Sequence, residues 1–521
     1  MLDWSLTTTA ALLVLIAIIN IHKCLKRFKF HSDASEMRVL LSPMTVLGAI
    51  TPTFRWNPGL NWCWEQRATA YVNHTHEVIS LVPILYGRRM YYLGSLNLFK
   101  QLLFAENKLH IEKPQDMLKS MLAFGDNLFT ANGDVWKRQR RIMGPAFTHS
   151  TFQMVLKETK AVVEEMAVAE GWVDRHEGNS PDFNKITAHT AMIVLGRCVF
   201  GLPFQWADTR NDGEDKLTFE HALRSSCESH IERLFYPRWL YRLPIQRLRF
   251  IDAAWTSLGT YMRELIVERK EELGASGSDA QLQRGDIFTR LVAGLSEDAK
   301  VGLEEQQVIG NTFILMFTGH ETTARALAAT VGYLAIHQDE QQRVLDEIQH
   351  ILPDDRDPTL FDLEKLNHLL YCFYEGLRLH PPGPGFGRVI MENVTLHLQR
   401  PQPQALHLQK GDYVMLDYIG ALHDPNTFPD PEEFRPSRWR NIPDHDVAMF
   451  GLGPRACLGR KFAQTEALTF LVTLLRTWKV DIDLQDGETR QAFERRIMDR
   501  SRLLGLAFGV EKVPVKIRRR L

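Results

Sequence analysis

From about residue 150 onward the chain is governed by helical periods. Thr187 to Phe200, Gln306 to His337, Glu340 to Ile351, Leu363 to Leu379 and Gln464 to Trp478 all repeat their apolar residues at helical spacing. Strand-like pieces are short by comparison: Val78 to Tyr86, Val394 to Leu398, Tyr413 to Asp417 and Leu504 to Val510. This pattern predicts a mostly α fold with a minor β-sheet portion. Length alone, 521 residues, suggests about three domains at roughly 150 residues each. Against that, the only polar, small-residue stretch resembling a linker is ASGSDAQLQRGD at 275–286, no longer than a generous surface loop. One large domain over 61–521 is therefore expected. A connecting segment over 30–60 precedes it, made irregular by Pro43, Pro52 and Pro58.

The N-terminus adds a second expectation. Trp4 to Ile21 carries no charge and includes AALLVLIAII, about long enough for a helix to cross a ~30 Å hydrocarbon core. Lys23, Lys26, Arg27 and Lys29 follow at once, whereas Asp3 is the only charged side chain before it. Residues 1–29 therefore read as a transmembrane anchor whose basic flank stays cytoplasmic. A cleaved signal peptide fits less well, because the basic cluster follows the apolar run and no A-x-A-like site ends it. The expectation is a single-pass protein of the endoplasmic reticulum membrane with its body in the cytoplasm. Asn73-His-Thr and Asn393-Val-Thr match glycosylation sequons, but such a body never meets the transferase. Acylation of Cys24, beside the membrane, would be redundant with a spanning helix.

Composition excludes more than it selects. A formal net charge of -1 gives no reason to expect nucleic acid as a partner. Six cysteines at 24, 63, 198, 227, 372 and 457, with no C-x-x-C pair, fit a reducing compartment better than a disulfide scaffold.

Cys457 stands apart. It lies in FGLGPRACLG, Phe450 to Gly459, just ahead of a helical pattern starting at Arg460. The glycines permit tight turns and close approach to something flat. The helix start and Arg455 favour a thiolate, a good soft ligand for iron. A buried structural cysteine beside a turn is the plainer alternative for this loop taken alone.

Phe450, Gly453, Arg455, Cys457 and Gly459 fill the pattern F-x-x-G-x-R-x-C-x-G at every specified position, and the chain thereby resembles the cytochrome P450 family. The resemblance extends over nearly the whole chain, in the family's order. It implies a single P450-like haem domain and haem b, with Cys457 as the axial thiolate and metal ligand. FTGHETTA, Phe317 to Ala324, resembles the oxygen-activating helix segment, with Thr322 and Glu321 passing protons towards bound oxygen. Thr318 stands there where the family usually has alanine. Trp136-x-x-x-Arg140, Arg388 after HPPGPGFG, and Arg455 occupy positions that bind the haem propionates. Glu375-Gly-Leu-Arg378 and Arg438 of FRPSRW correspond to a buried structural triad, with Gly376 replacing the commoner threonine and softening the helix. VLLSPMTVLGAITP departs from the family's proline-glycine-rich hinge.

The implied function is monooxygenation: one atom of O2 enters a hydrophobic small molecule, terpenoid or steroid-like, in specialised biosynthesis. No flavin or nicotinamide fingerprint is present, so electrons are expected from a separate NADPH-dependent reductase in the membrane. A haem-thiolate isomerase or dehydratase, or a non-catalytic haem or lipid sensor, would not need the Glu321-Thr322 pair. Pocket segments are expected around Pro114 to Phe129, His221 to Tyr236 and Gly383 to Phe386.

Overall fold

The computed structural model describes residues 35–520, apart from 72–74, 105–110, 207–216, 285, 296–301 and 355. The expected anchor at 1–29, Cys24 and the Asn73 sequon lie outside the described residues. Among the described residues, no helix is long and apolar enough to cross a membrane.

The described chain divides into two compact units, one formed by the residues up to Glu112 with Gly385–Pro429, the other by Lys113–Pro384 with Asp430 onward. The first holds the larger sheet. Its six strands run in the order Ser35–Leu41, Val78–Tyr86, Met90–Leu93, Tyr413–Asp417, Gly385–Ile390, Ile111–Glu112. Two of its pairings are parallel, Ser35–Leu41 with Val78–Tyr86 and Met90–Leu93 with Tyr413–Asp417, and the others are antiparallel. Val78 to Pro83 are buried without interruption, as a strand in the body of a sheet requires. The 30–60 segment is thus not irregular throughout: a parallel partner strand at Ser35–Leu41 ends before Pro43, whose missing amide suits a strand end.

The second unit is helical. Its helices include α1 (Gly133–Met143), α2 (His149–Ala169), α3 (Phe183–Leu195), α4 (Gln246–Arg284), α5 (Glu305–Ile336), α6 (Gln338–Ile351), α7 (Asn367–Leu379) and α8 (Arg460–Thr477). At the centre is α5, opened by a capping box between Glu304 and Gln307 and packed by α3, α7 and the C-terminal hairpin. Two expectations change here. The stretch read as a linker is helical through Arg284, because it lacks proline and Ala280, Gln281, Leu282, Gln283 and Arg284 are strong helix formers. Leu504 to Val510 is not one strand but the end of a hairpin, Ser501–Leu504 against Ala507–Val510, turning at Gly505 with φ +66°.

Candidate active site

The Phe450–Gly459 loop owes its shape to two glycines in the left-handed region, Gly451 at φ +79° and Gly453 at φ +70°. The Cys457 amide donates to the Phe450 carbonyl at 2.7 Å, closing the loop, and α8 starts directly after its N-cap, Gly459. Arg460 spreads its guanidinium over the Phe450 ring, 5.3 Å from the centroid. Cys457 is exposed, yet desolvation is the main reason its thiol pKa lies above its ordinary value. The sulfur is thus accessible but lies in desolvated surroundings. A hydrogen bond from the Gly459 amide and the charges of Arg140 and Arg460 pull the pKa down, but burial outweighs them. The helix start does not hold a thiolate on its own; a bound metal would have to.

Helix α5 is buried on nearly every face. Between Leu315 and Thr322, the residues retaining access are Leu315, Thr318, Gly319 and Thr322, spaced as one helical stripe. Gly319 contributes by close packing: a Cβ there would meet Leu195 Cδ1 of α3 at 2.7 Å. Thr318 Oγ1 donates to the Ile314 carbonyl at 2.7 Å, and Thr322 Oγ1 to the Thr318 carbonyl at 3.0 Å. Both hydroxyl protons are thus committed to the helix, leaving lone pairs on the open stripe.

Glu321 leaves that stripe. Its carboxylate accepts the Leu506 amide at 3.0 Å in the turn of the C-terminal hairpin, and Arg325 lies 3.8 Å away. Burial pushes its pKa up from 4.5 to about 7, with Arg325 and the hairpin amides opposing. Gly505 makes room for it, since a Cβ there would sit 2.5 Å from Glu321 Oε1. Reading 504–510 as one strand hid this partnership; Gly505 between two leucines was the signal for a turn.

Three of the four basic or indole positions gather beside the loop. Arg455 stands over the Trp136 ring at 4.5 Å and donates to the Ala131 carbonyl at 2.8 Å. Arg140 donates to the Ala456 carbonyl at 2.8 Å. Burial lowers the Arg140 pKa, and among the described residues no carboxylate pairs with it. The Trp136 indole N–H likewise has no protein acceptor among the described residues. Arg388 belongs to the first unit, on the Gly385–Ile390 strand opposite Val414, and is 5% exposed.

Behind the loop, Glu375 and Arg378 are both fully buried, joined by two hydrogen bonds of 3.0 Å. Arg438 Nε, Trp439 Nε1 and the Arg435 amide donate to the same carboxylate at 2.8, 2.8 and 3.0 Å. Gly376 is a close-contact residue, since a Cβ there would meet Thr330 Oγ1 of α5 at 2.5 Å. It lets α7 approach α5 closely.

Two expected pocket segments meet on α5. Phe124 stacks on Trp255 at 5.9 Å and tilts against Phe313 at 4.9 Å, while His230 meets Phe317 edge-on at 5.9 Å. Trp255, on α4, was not foreseen, because nothing in its sequence setting marks it off from other helix residues. Phe386, from the third segment, packs on Tyr418 in the first unit.

A family model described as Cytochrome P450 matches residues 69–503. The chain belongs to the cytochrome P450 family. A similar relative is cytochrome P450 monooxygenase 124 of Postia placenta, 29% identical over 460 residues and covering 87% of each chain. Human cytochrome P450 4F2 is 30% identical over 369 residues, 68% of each chain. The crystal structure of the cytochrome P450DA haem domain shares the fold, with a TM-score of 0.68 at 20% identity over 85% of this chain and 90% of that one. As a P450, this protein is a monooxygenase, uses O2, a substrate and a redox partner, and carries haem held by a cysteine thiolate. The residues present fit that group. An accessible sulfur lies in desolvated surroundings, and among the described residues the desolvated Arg140 beside it has no carboxylate partner.

Proposed function

We propose that this P450 inserts one oxygen atom into a hydrophobic small molecule with a terpenoid or steroid-like skeleton, drawing electrons from a separate NADPH-dependent reductase. In this reading residues 1–29 anchor it in the endoplasmic reticulum membrane, 30–60 connect, and 61–521 form the cytoplasmic haem-thiolate domain. The observation that supports the substrate class is the accessible stripe of α5, Leu315, Thr318, Gly319 and Thr322, which carries no charged side chain. Such a lining recognises an apolar, rigid ligand by area rather than by charge.

Cys457 would hold the haem iron, and Trp136, Arg140, Arg388 and Arg455 would bind the propionates. When bound, thiolate-ligated haem supplies chemistry that favours O–O cleavage. The protein's share is positioning, dryness and protons. Thr322, its own proton donated to Thr318, accepts a hydrogen bond from a water and so holds that water over the site. Glu321, with a pKa of about 7, carries a proton for part of the time at neutral pH and serves as its store. The pair favours turnover over the isomerase, dehydratase and sensor readings, none of which needs a proton supply beside the stripe.

The test is oxygen uptake by the holoenzyme with NADPH, a P450 reductase and candidate lipids preselected by displacement of the iron's water in the haem spectrum. Uptake and product that depend on both reductase and a terpenoid or steroid-like lipid support the reading. Product formed only from small polar compounds overturns it.

A further inference from the structure

Away from the haem loop, a second set of metal-binding side chains converges between α6 and α7. His368 and Cys372 stand four residues apart on α7 and share one helical face. Glu340, in the first turn of α6, reaches that face. One ligand atom from each of the three lies within 4.8 Å of the others. We propose that Glu340, His368 and Cys372 bind zinc, or a divalent ion of similar softness, as a clamp between the two helices.

The donor set selects the metal. A thiolate with an imidazole suits zinc and disfavours magnesium or calcium, which take oxygen ligands. The site is also partly pre-arranged. Glu340 Oε2 already contacts His368 Nε2 at 2.7 Å, while Arg343 holds the other carboxylate oxygen at 2.7 Å. Glu347 accepts the amides of His368 and Leu369 at 2.8 and 3.0 Å, fixing the first turn of α7. Cys372 is fully buried and fixed by packing, whereas the Glu340 and His368 side chains are 13% and 23% exposed. Zinc–ligand bonds of roughly 2.0–2.3 Å need donors closer than the present limit, and rotation of these two side chains supplies the movement. The Cys372 proton leaves to solvent on binding, and the exposed side leaves a fourth position for water. Because α7 also carries Glu375 and Arg378, the clamp would stiffen the helix behind the cysteine loop.

The experiment uses chelator-washed holoenzyme, equilibrium dialysis against zinc, and metal analysis. One zinc per chain is expected, accompanied by a higher Tm. Loss of the groups that merely orient metal ligands costs about 10–100-fold in affinity, so loss of a ligand itself in His368→Asn, Glu340→Gln or Cys372→Ser should cost at least 10-fold. With cadmium as the probe, the ultraviolet thiolate-to-metal band should appear and vanish in Cys372→Ser, with the haem spectrum unchanged. No zinc retained, or equal retention by His368→Asn and Glu340→Gln, overturns the proposal and leaves a hydrogen-bonded helix contact. Zinc lost in those two but kept in Cys372→Ser overturns it as well, since the site would then lack its thiolate. If Cys372→Ser does not fold, the two part-exposed variants decide the matter.

Discussion

The Thr322 hydroxyl donates to the Thr318 carbonyl at 3.0 Å, so the residue offers its lone pairs, and not its proton, to the open stripe of α5. A water held there can accept protons from elsewhere and pass them on, with Thr322 as its anchor. Thr322→Ala removes the anchor and leaves the thiolate loop and the aromatic packing on α5 in place. Haem content and substrate binding should stay near normal. Product per electron should fall on the order of 10-fold or more, with peroxide released instead. Thr318→Ala, one turn earlier, should be far milder. Coupling retained in the double variant would end the case for this anchor.

Arg378→Ala should leave the fully buried Glu375 carboxylate without its fully buried, doubly hydrogen-bonded cation. Such losses cost on the order of 3–5 kcal/mol. Arg438, on the same carboxylate at 2.8 Å, limits the damage without cancelling it. Poor haem incorporation and aggregation are expected, measured as haem per chain and soluble yield. A variant that folds, holds haem fully and only turns over slowly would contradict a structural role.

Gly376→Ala separates propensity from packing. In an open helix the change would stabilise by about 1 kcal/mol. Here the new methyl meets Thr330 Oγ1 at 2.5 Å, within a buried helix crossing. Overpacking of that kind costs roughly 1–3 kcal/mol, so a net loss is expected in thermal or denaturant unfolding. Thr330→Ala should recover part of it. A Gly376→Ala protein more stable than its parent would show that α7 is free to move away.

Glu321 should make stability depend on pH. Its folded pKa is raised from 4.5 to about 7, so the folded state holds the proton more tightly than the unfolded chain does. The resulting stabilisation is full below about 4.5 and is lost as pH rises through about 7. A displacement of that size corresponds to on the order of 3 kcal/mol. Glu321→Gln cannot titrate. The stability of the wild type relative to this variant should therefore fall between those two pH values. A difference that stays flat across the window would mean that Glu321 is solvated.

Much of this was legible because local rules and tertiary context agree. The strand Val394–Leu398 follows from hydrophobic period, since it buries the alternate residues that its pattern marks, while Val78–Tyr86, Tyr413–Asp417 and the helix Glu305–Ile336 were legible as apolar runs that the core buries on nearly every side. The cysteine loop was legible through its glycines, two of which take positive φ. What sequence could not give were close approaches between distant segments. Gly376 also brings α7 close to Thr330, and Glu321 also accepts the Leu506 amide, contacts that no local pattern marks. The donors of Arg435 and Trp439 to Glu375 were invisible for the same reason.

The most direct test of the account is the carbon-monoxide difference spectrum of the reduced protein, wild type against Cys457→Ser. The wild type should give the red-shifted Soret band of thiolate-ligated haem. The variant should lose that band along with monooxygenation, because no neighbouring side chain offers an equivalent soft anion. A Cys457→Ser protein that kept the thiolate band would contradict the assignment of Cys457 as the iron ligand and the site built around it.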